Sequence, residues 1–151
     1  MMRRFPLEKF QNLDTPFYFY DMALLESTIK TIKRLIKDKP YHVHYAVKAN
    51  GNTTIMKAIA AHGLGADLVS GGEIQAAINA GFKPEKMVYS GVGKTDREIN
   101  LGLEHNIFCF NVESIPELSV ISDLALKRGV VANVSIRVNP DIDAHTHRYI
   151  T

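Results

Sequence analysis

A lysine at the exit of a buried strand can do chemistry that few side chains can. Lys48 stands there, in the run Tyr45-Ala46-Val47-Lys48-Ala49-Asn50. Lysine is seldom buried unless something pairs with it or uses it. Desolvation favours the neutral amine, and a neutral amine attacks carbonyl carbon. The competing reading is a stem that snorkels its charge to solvent at a strand end.

Other stretches invite chemistry that their spacing does not support. Gly91-Val92-Gly93-Lys94-Thr95 suggests a phosphate loop, but the glycine required five positions before Gly93 is Val88. Backbone amides there could still hold an anion at a helix start. Gly63-Leu64-Gly65 would need a third glycine at 68 for a dinucleotide fingerprint, and Leu68 is there. The pairs His42/His44 and His145/His147 have the alternate spacing of metal ligands on a strand, with no cysteine or carboxylate at convincing spacing. No metal is expected. The single cysteine, Cys109, lies in the apolar run Ile107 to Phe110 and reads as core.

The elements that must position Lys48 follow from hydrophobic periodicity. An aromatic run, residues 17–20, reads as a short strand bounded by Pro16. Asp21 caps a helix with Leu25, Ile29, Ile32 and Ile36 on one face, ended by Lys39-Pro40. Strands then alternate with helices: strand 42–47, helix 53–62, strand 66–69, helix 72–80, strand 87–90, helix 96–105, strand 107–110, helix 115–128 and strand 133–138. Such alternation implies βαβ units and a parallel sheet. Ser70…Glu73, Thr95…Glu98 and Ser114…Glu117 have capping-box spacing, and each follows a strand. Three helix N-termini therefore gather at the strands' carboxyl ends, the functional end of a barrel or of a doubly wound sheet.

Two strands decide between those folds. Val43, Tyr45 and Val47 share one face, while His42, His44, Ala46 and Lys48 share the other. Likewise Val134, Ile136 and Val138 alternate with Asn133, Ser135, Arg137 and Asn139. A strand covered by helices on both sides is apolar on both faces. One polar face fits a barrel interior, with Lys48 and Arg137 pointing inward near its top. The expected fold is α/β, an incomplete (β/α)8 TIM-type barrel of about five βα units. Residues 1–40 form an N-terminal strand and helix leading into the barrel, and residues 41–151 its first part. The shortfall against eight strands reads as the front of a longer protein.

Composition excludes several classes. The chain of 151 residues carries 46% apolar and 23% charged residues and a net charge of +2, with lysines and arginines scattered. That argues against disorder and against a nucleic-acid surface. A basic start without an apolar run gives no signal peptide, and no segment suggests a membrane span. A lone cysteine rules out an internal disulfide framework and points to a cytoplasmic setting.

At Tyr45–Asn50 the sequence resembles the pyridoxal-phosphate decarboxylases built on an alanine-racemase-like barrel. Matches follow in order: Gly65-Ala-Asp-Leu-Val-Ser-Gly-Gly-Glu-Ile74, Val88-Tyr-Ser-Gly-Val-Gly-Lys94, Phe110-Asn-Val-Glu-Ser114 and Ser135-Ile-Arg-Val-Asn-Pro140. The final Asp143–Ile150 stretch is most similar to members acting on meso-diaminopimelate, with ornithine, arginine and carboxynorspermidine decarboxylases as relatives within the class. The resemblance implies that Lys48 carries pyridoxal 5'-phosphate as a Schiff base. It implies that Ala46 leaves room for the ring, that Arg137 meets the ring near its hydroxyl, and that Asp67 orients Lys48. Glu73 would pair with the released lysine, a salt bridge or helix cap being the alternative for Asp67 and Glu73, and a structural ion pair the alternative for Arg137. It assigns 17–20 partly to a second, β-rich domain and implies a homodimer acting on a small amino acid. The acid on the pyridine nitrogen, the glycine-rich phosphate cradle and a partner-subunit cysteine are expected beyond residue 151, so the 151-residue piece alone is expected to be inactive. A cofactor-free Schiff-base aldolase and a non-catalytic half-barrel are the readings from other classes.

Overall fold

A computed structural model of the chain describes residues 5–140, 142 and 145. Helix α1, Met22–Leu35, starts where the side chain of Asp21 accepts a hydrogen bond from the Leu24 amide. Alternation then runs β1 (His44–Ala46), α2 (Thr53–Ala61), β2 (Gly65–Leu68), α3 (Gly71–Ala80), β3 (Met87–Tyr89), α4 (Asp96–Glu104), β4 (Cys109–Val112), α5 (Ile115–Arg128) and β5 (Val134–Ile136). The five strands form one sheet in the order β1-β2-β3-β4-β5, and every pair is parallel. Each strand is thus joined through a helix to its immediate neighbour, the connectivity of a (β/α)8 barrel wall.

The sheet has one apolar face and one polar face. Ala66, Leu68, Met87, Tyr89, Phe110 and Val112 are buried beneath helix residues such as Ile59, Ile74, Ile99 and Ile121. The alternate positions of the same strands face the other way. Register pins the arrangement: Ala46 pairs with Asp67, Asp67 with Val88, and Asn111 with Ser135. A slip of one residue would exchange the two faces.

All three capping spacings form N-caps, in two variants. Around α4 the Thr95/Glu98 box is complete. At α3 and α5, Ser70 and Ser114 accept from the amides of Glu73 and Glu117, whose own carboxylates reach one residue further back, to the amides of Val69 and Glu113. Two of these glutamates also link neighbouring loops, Glu98 by accepting the Gly71 amide and Glu117 by accepting from Lys94.

Three expectations need correction. Residues 17–20 form no strand among the described residues. They are exposed, with Phe17 and Phe19 packed on Phe10, and a strand requires a neighbour to complete its ladder. Strand β4 begins at Cys109 rather than 107, because the Phe108 amide bonds to Pro84 O and the ladder starts with Phe110 N to Asn133 O. Ile107 is buried but serves the end of α4, where its amide bonds Gly102 O. Finally, β1 stops at Ala46, and Val47–Ala49 turn as a 3-10 helix. The segment 143–150 lies outside the described residues except His145.

Candidate active site

Lys48 sits in the middle of that 3-10 turn, directly after β1. Its backbone is held from both sides. The Asn50 amide bonds Val47 O at 3.1 Å, and the Tyr45 hydroxyl donates to Asn50 O at 2.9 Å. Burial raises the Tyr45 phenol pKa, so this donor keeps its proton. Asn50 Oδ1 accepts from the Asn52 amide, and Asn52 in turn caps α2 through Thr54 and Ile55. The sequence thus breaks the chain after Lys48 with side chains that satisfy their own turn.

A cleft of about 380 Å³ opens on the polar face, at the strands' carboxyl ends. Lys48, Asp67, Ser90, Asn111, Glu113, Ser135 and Arg137 line it. Lys48, Asp67 and Arg137, singled out from the sequence, are therefore brought together. Ala46 does not line the cleft; it is half-buried next to Asp67 in register. Glu73 lies elsewhere, engaged in capping α3.

Hydrogen bonds tie the lining together across strands. Ser90 Oγ donates to Asp67 Oδ1 at 2.7 Å, and Asn111 Nδ2 donates to Ser90 Oγ at 2.9 Å. Arg137 Nη1 donates to Glu113 Oε2 at 3.1 Å, while Glu113 Oε1 accepts the Gly91 amide at 3.2 Å. The Arg137 side chain remains 60% exposed, so its guanidinium keeps donors for a further partner. Glu113 and Ser135 were missed in the sequence, as were Ser90 and Asn111 as site residues. Their signal was period two: each occupies the polar face of a strand, or the first residues past it.

Beneath the cleft, Lys94 is almost completely buried, its side chain 1% exposed. Its ammonium donates to Gly91 O at 2.6 Å, Asn111 O at 2.8 Å and Glu117 Oε1 at 2.6 Å, and stands 5.3 Å from the Tyr89 ring centroid. The failed phosphate-loop motif thus supplies a structural cation. Tyr89 itself is pushed upward in pKa by burial and by the Glu98 carboxylate. Burial also raises the Cys109 thiol, which lies outside the helix-side core, on the same face of β4 as Asn111, with Sγ 3.9 Å from Asn111 Oδ1. Among the described residues, no group of three or more histidines, cysteines and carboxylates could hold a metal ion.

Whether this cleft suits pyridoxal phosphate can be judged from its donors. It offers a primary amine for the aldehyde, a guanidinium for ring oxygen, and carboxylates to balance the charge of the amine. The residues present fit the anchoring end of the cofactor.

A wall of parallel βα units with a lysine at the head of its first strand defines a class, and the chain matches the sequence family described as pyridoxal-dependent decarboxylase, pyridoxal binding domain, over residues 22–151. The chain belongs to that family. It is 57% identical over 148 residues to the diaminopimelate decarboxylase of Bacteroides thetaiotaomicron, covering 97% of this chain and 38% of that protein. The crystal structure of diaminopimelate decarboxylase from Helicobacter pylori complexed with L-lysine matches with a TM-score of 0.89 and 45% identity, over 95% of this chain and 36% of that one. The lysine/ornithine decarboxylase of Vibrio vulnificus complexed with putrescine shares the fold, with a TM-score of 0.73 at 19% identity over 87% of this chain and 35% of that one. The chain therefore spans between a third and two fifths of the length of its relatives.

Proposed function

We propose that this chain is the cofactor-anchoring part of a decarboxylase that converts meso-2,6-diaminopimelate to L-lysine. The observation that carries the reading is the convergence of Lys48, Asp67 and Arg137 in one cleft at the strands' carboxyl ends. The substrate choice is supported by identity, which is 57% to a diaminopimelate decarboxylase and 19% to a lysine/ornithine decarboxylase.

Pyridoxal phosphate supplies the electron-withdrawing ring that accepts the electron pair left when the substrate carboxylate departs as carbon dioxide. The chain's own residues do the rest of the work available to this part of the protein. Lys48 forms the covalent attachment through its amine. Asp67, held by Ser90, orients that amine and balances its charge. Arg137, which donates to Glu113, would hold the cofactor's ring oxygen with its remaining donors. Ala46 keeps the inner face shallow beside Asp67, which leaves room for a flat ring.

In this reading residues 1–40 lead into a barrel that begins at 41, and the run 17–20 meets a second, β-rich domain. The protein works as a cytoplasmic homodimer, and no helix among the described residues is long and apolar enough to cross a membrane. The 151 residues alone lack decarboxylase activity.

Borohydride reduction of the protein loaded with pyridoxal phosphate, followed by peptide mapping, tests the reading. The expected label is on Lys48 and disappears in Lys48→Ala. A label elsewhere refutes the anchor. Trapping only with a carbonyl substrate, and no visible band with the cofactor, would identify an aldolase instead.

A further inference from the structure

The polar face carries a hydrogen-bonded series that Lys48 and Arg137 do not explain. It crosses three consecutive strands. Asp67 belongs to β2, Ser90 follows β3 directly, and Asn111 belongs to β4. Ser90 Oγ lies 2.7 Å from Asp67 Oδ1 and 2.9 Å from Asn111 Nδ2, and all three side chains line the cleft with Lys48.

The chemistry of the groups fixes the direction of this series. A carboxamide nitrogen only donates, so Asn111 Nδ2 occupies a lone pair of the Ser90 oxygen. A serine hydroxyl has one proton, and the acceptor left for it is Asp67 Oδ1. That bond fixes the torsion of Asp67, leaving Oδ2 without a bond to Ser90.

We infer that Ser90 and Asn111 are positioning residues that hold the Asp67 side chain in one orientation, presented to Lys48. The inference rests on the reading of Lys48 as the cofactor anchor. Neither Ser90 nor Asn111 touches the reacting atoms in this assignment; they act through Asp67. Their placement one strand apart gives the sheet a reason to carry small hydrogen-bonding residues there, where a barrel interior elsewhere uses bulky apolar ones.

The test uses the full-length protein carrying this chain, loaded with pyridoxal phosphate. The readout is the pH midpoint of the visible absorbance of the lysine-bound cofactor. A fixed carboxylate favours the protonated form of that band, so Ser90→Ala lowers the midpoint by about one unit, the size of a single well-placed charge effect. Ser90→Thr, which keeps the hydroxyl, stays at the wild-type midpoint. Asn111→Leu shifts it in the same direction by less, since the Ser90 proton is then free to turn elsewhere. A crystal structure of Ser90→Ala is expected to show the Asp67 carboxylate rotated. A Ser90→Ala midpoint equal to wild type, or a Ser90→Thr variant shifted as far as Ser90→Ala, overturns the positioning role while the anchor stands. Absence of the band in wild type, or its persistence in Lys48→Ala, overturns the anchor and this inference with it.

Discussion

The buried pair Lys94–Glu117 gives the sharpest test of how the site's floor is held. The Lys94 ammonium has three protons and three acceptors, two of them backbone carbonyls from the β3–α4 loop and from β4. Glu117 is 13% exposed, and its second oxygen holds the Glu113 amide. Glu117→Ala leaves a cation with two neutral acceptors and no counter-charge. Breaking a buried pair from one side costs ~3–5 kcal/mol. Lys94→Met keeps the stem's packing on Tyr89 but orphans the Gly91 and Asn111 carbonyls, at ~1–3 kcal/mol each if no water reaches them. We expect a loss of about 2–6 kcal/mol for Lys94→Met from the two carbonyls, with the Glu117 carboxylate left unpaired in addition. The double variant Lys94→Met/Glu117→Ala should lose less than the sum of its singles by at least ~1.5 kcal/mol, because neither residue is then a buried, unpaired charge. Urea denaturation of the full-length protein at pH 7, followed by circular dichroism, reads all three values. Sodium chloride should leave the coupling nearly unchanged, as screening ions cannot reach a dry pair. A Lys94→Met variant within ~0.5 kcal/mol of wild type, or additive singles, would refute the reasoning.

Two further outcomes follow from particular contacts. The Gly71 amide, then the Thr95 amide, hold the Glu98 carboxyl down to about 2 from an ordinary 4.5. Its folded pKa is depressed, so the stability it contributes is present above about 4.5 and is lost as pH falls toward 2. Glu98→Gln should therefore lower the melting temperature at pH 7, and the difference from wild type should close over that window; a difference constant with pH contradicts the assignment. At Gly65 an added Cβ would lie 2.4 Å from both Lys86 O and His44 Nδ1, whereas at Gly51 it would meet nothing within 4 Å. Gly65→Ala should cost more than ~2 kcal/mol in the same denaturation assay and Gly51→Ala less than ~0.5, with equal losses refuting the packing argument.

Much of this architecture was legible because local and global preferences agree. The period-two pattern of 42–48 and 133–139 put Lys48, Ala46 and Arg137 on one face; the register bears out that face for Ala46, Asp67 and Ser135, whereas Lys48 reaches the cleft from a 3-10 turn past the end of β1 and not by strand alternation. Helix starts were legible because serine, threonine and asparagine side chains bond the first free amides. Illegible features depend on distant partners. Nothing local says that residues 17–20 lack a neighbouring strand, since β propensity describes a surface and not its partner. Ile107 and Phe108 look like strand, yet one serves a helix end and the other bonds the loop before β3. Lys94 reads only as part of a failed phosphate loop until the fold brings Glu117 to its ammonium. Glu73 could cap or pair with a lysine, and only geometry separated those roles.

The two faces of β5 tie the cleft to packing outside it. Val134 pairs in register with Phe110 and Ile136 with Val112. The β4 residues of these pairs are 2% exposed, but Val134 is 40% and Ile136 63% exposed. The same register that places Ile136 on the apolar face places Ser135 and Arg137 on the polar one. Backbone alternation makes those placements inseparable. Covering Val134 and Ile136 with further apolar structure would therefore also fix the strand that carries Arg137, whose side chain is now 60% exposed. At about 25 cal/mol per Å² of apolar area, that cover is a far larger force than the single Arg137–Glu113 contact, a partly exposed pair worth ~1 kcal/mol or less. In the proposed reading, the grip of Arg137 on the cofactor would then depend on hydrophobic packing on the opposite face of its own strand. Lys48 is different, because its turn is closed by Tyr45, Asn50 and Asn52 within the described chain. The anchor is built locally, and the arginine depends on what packs behind it.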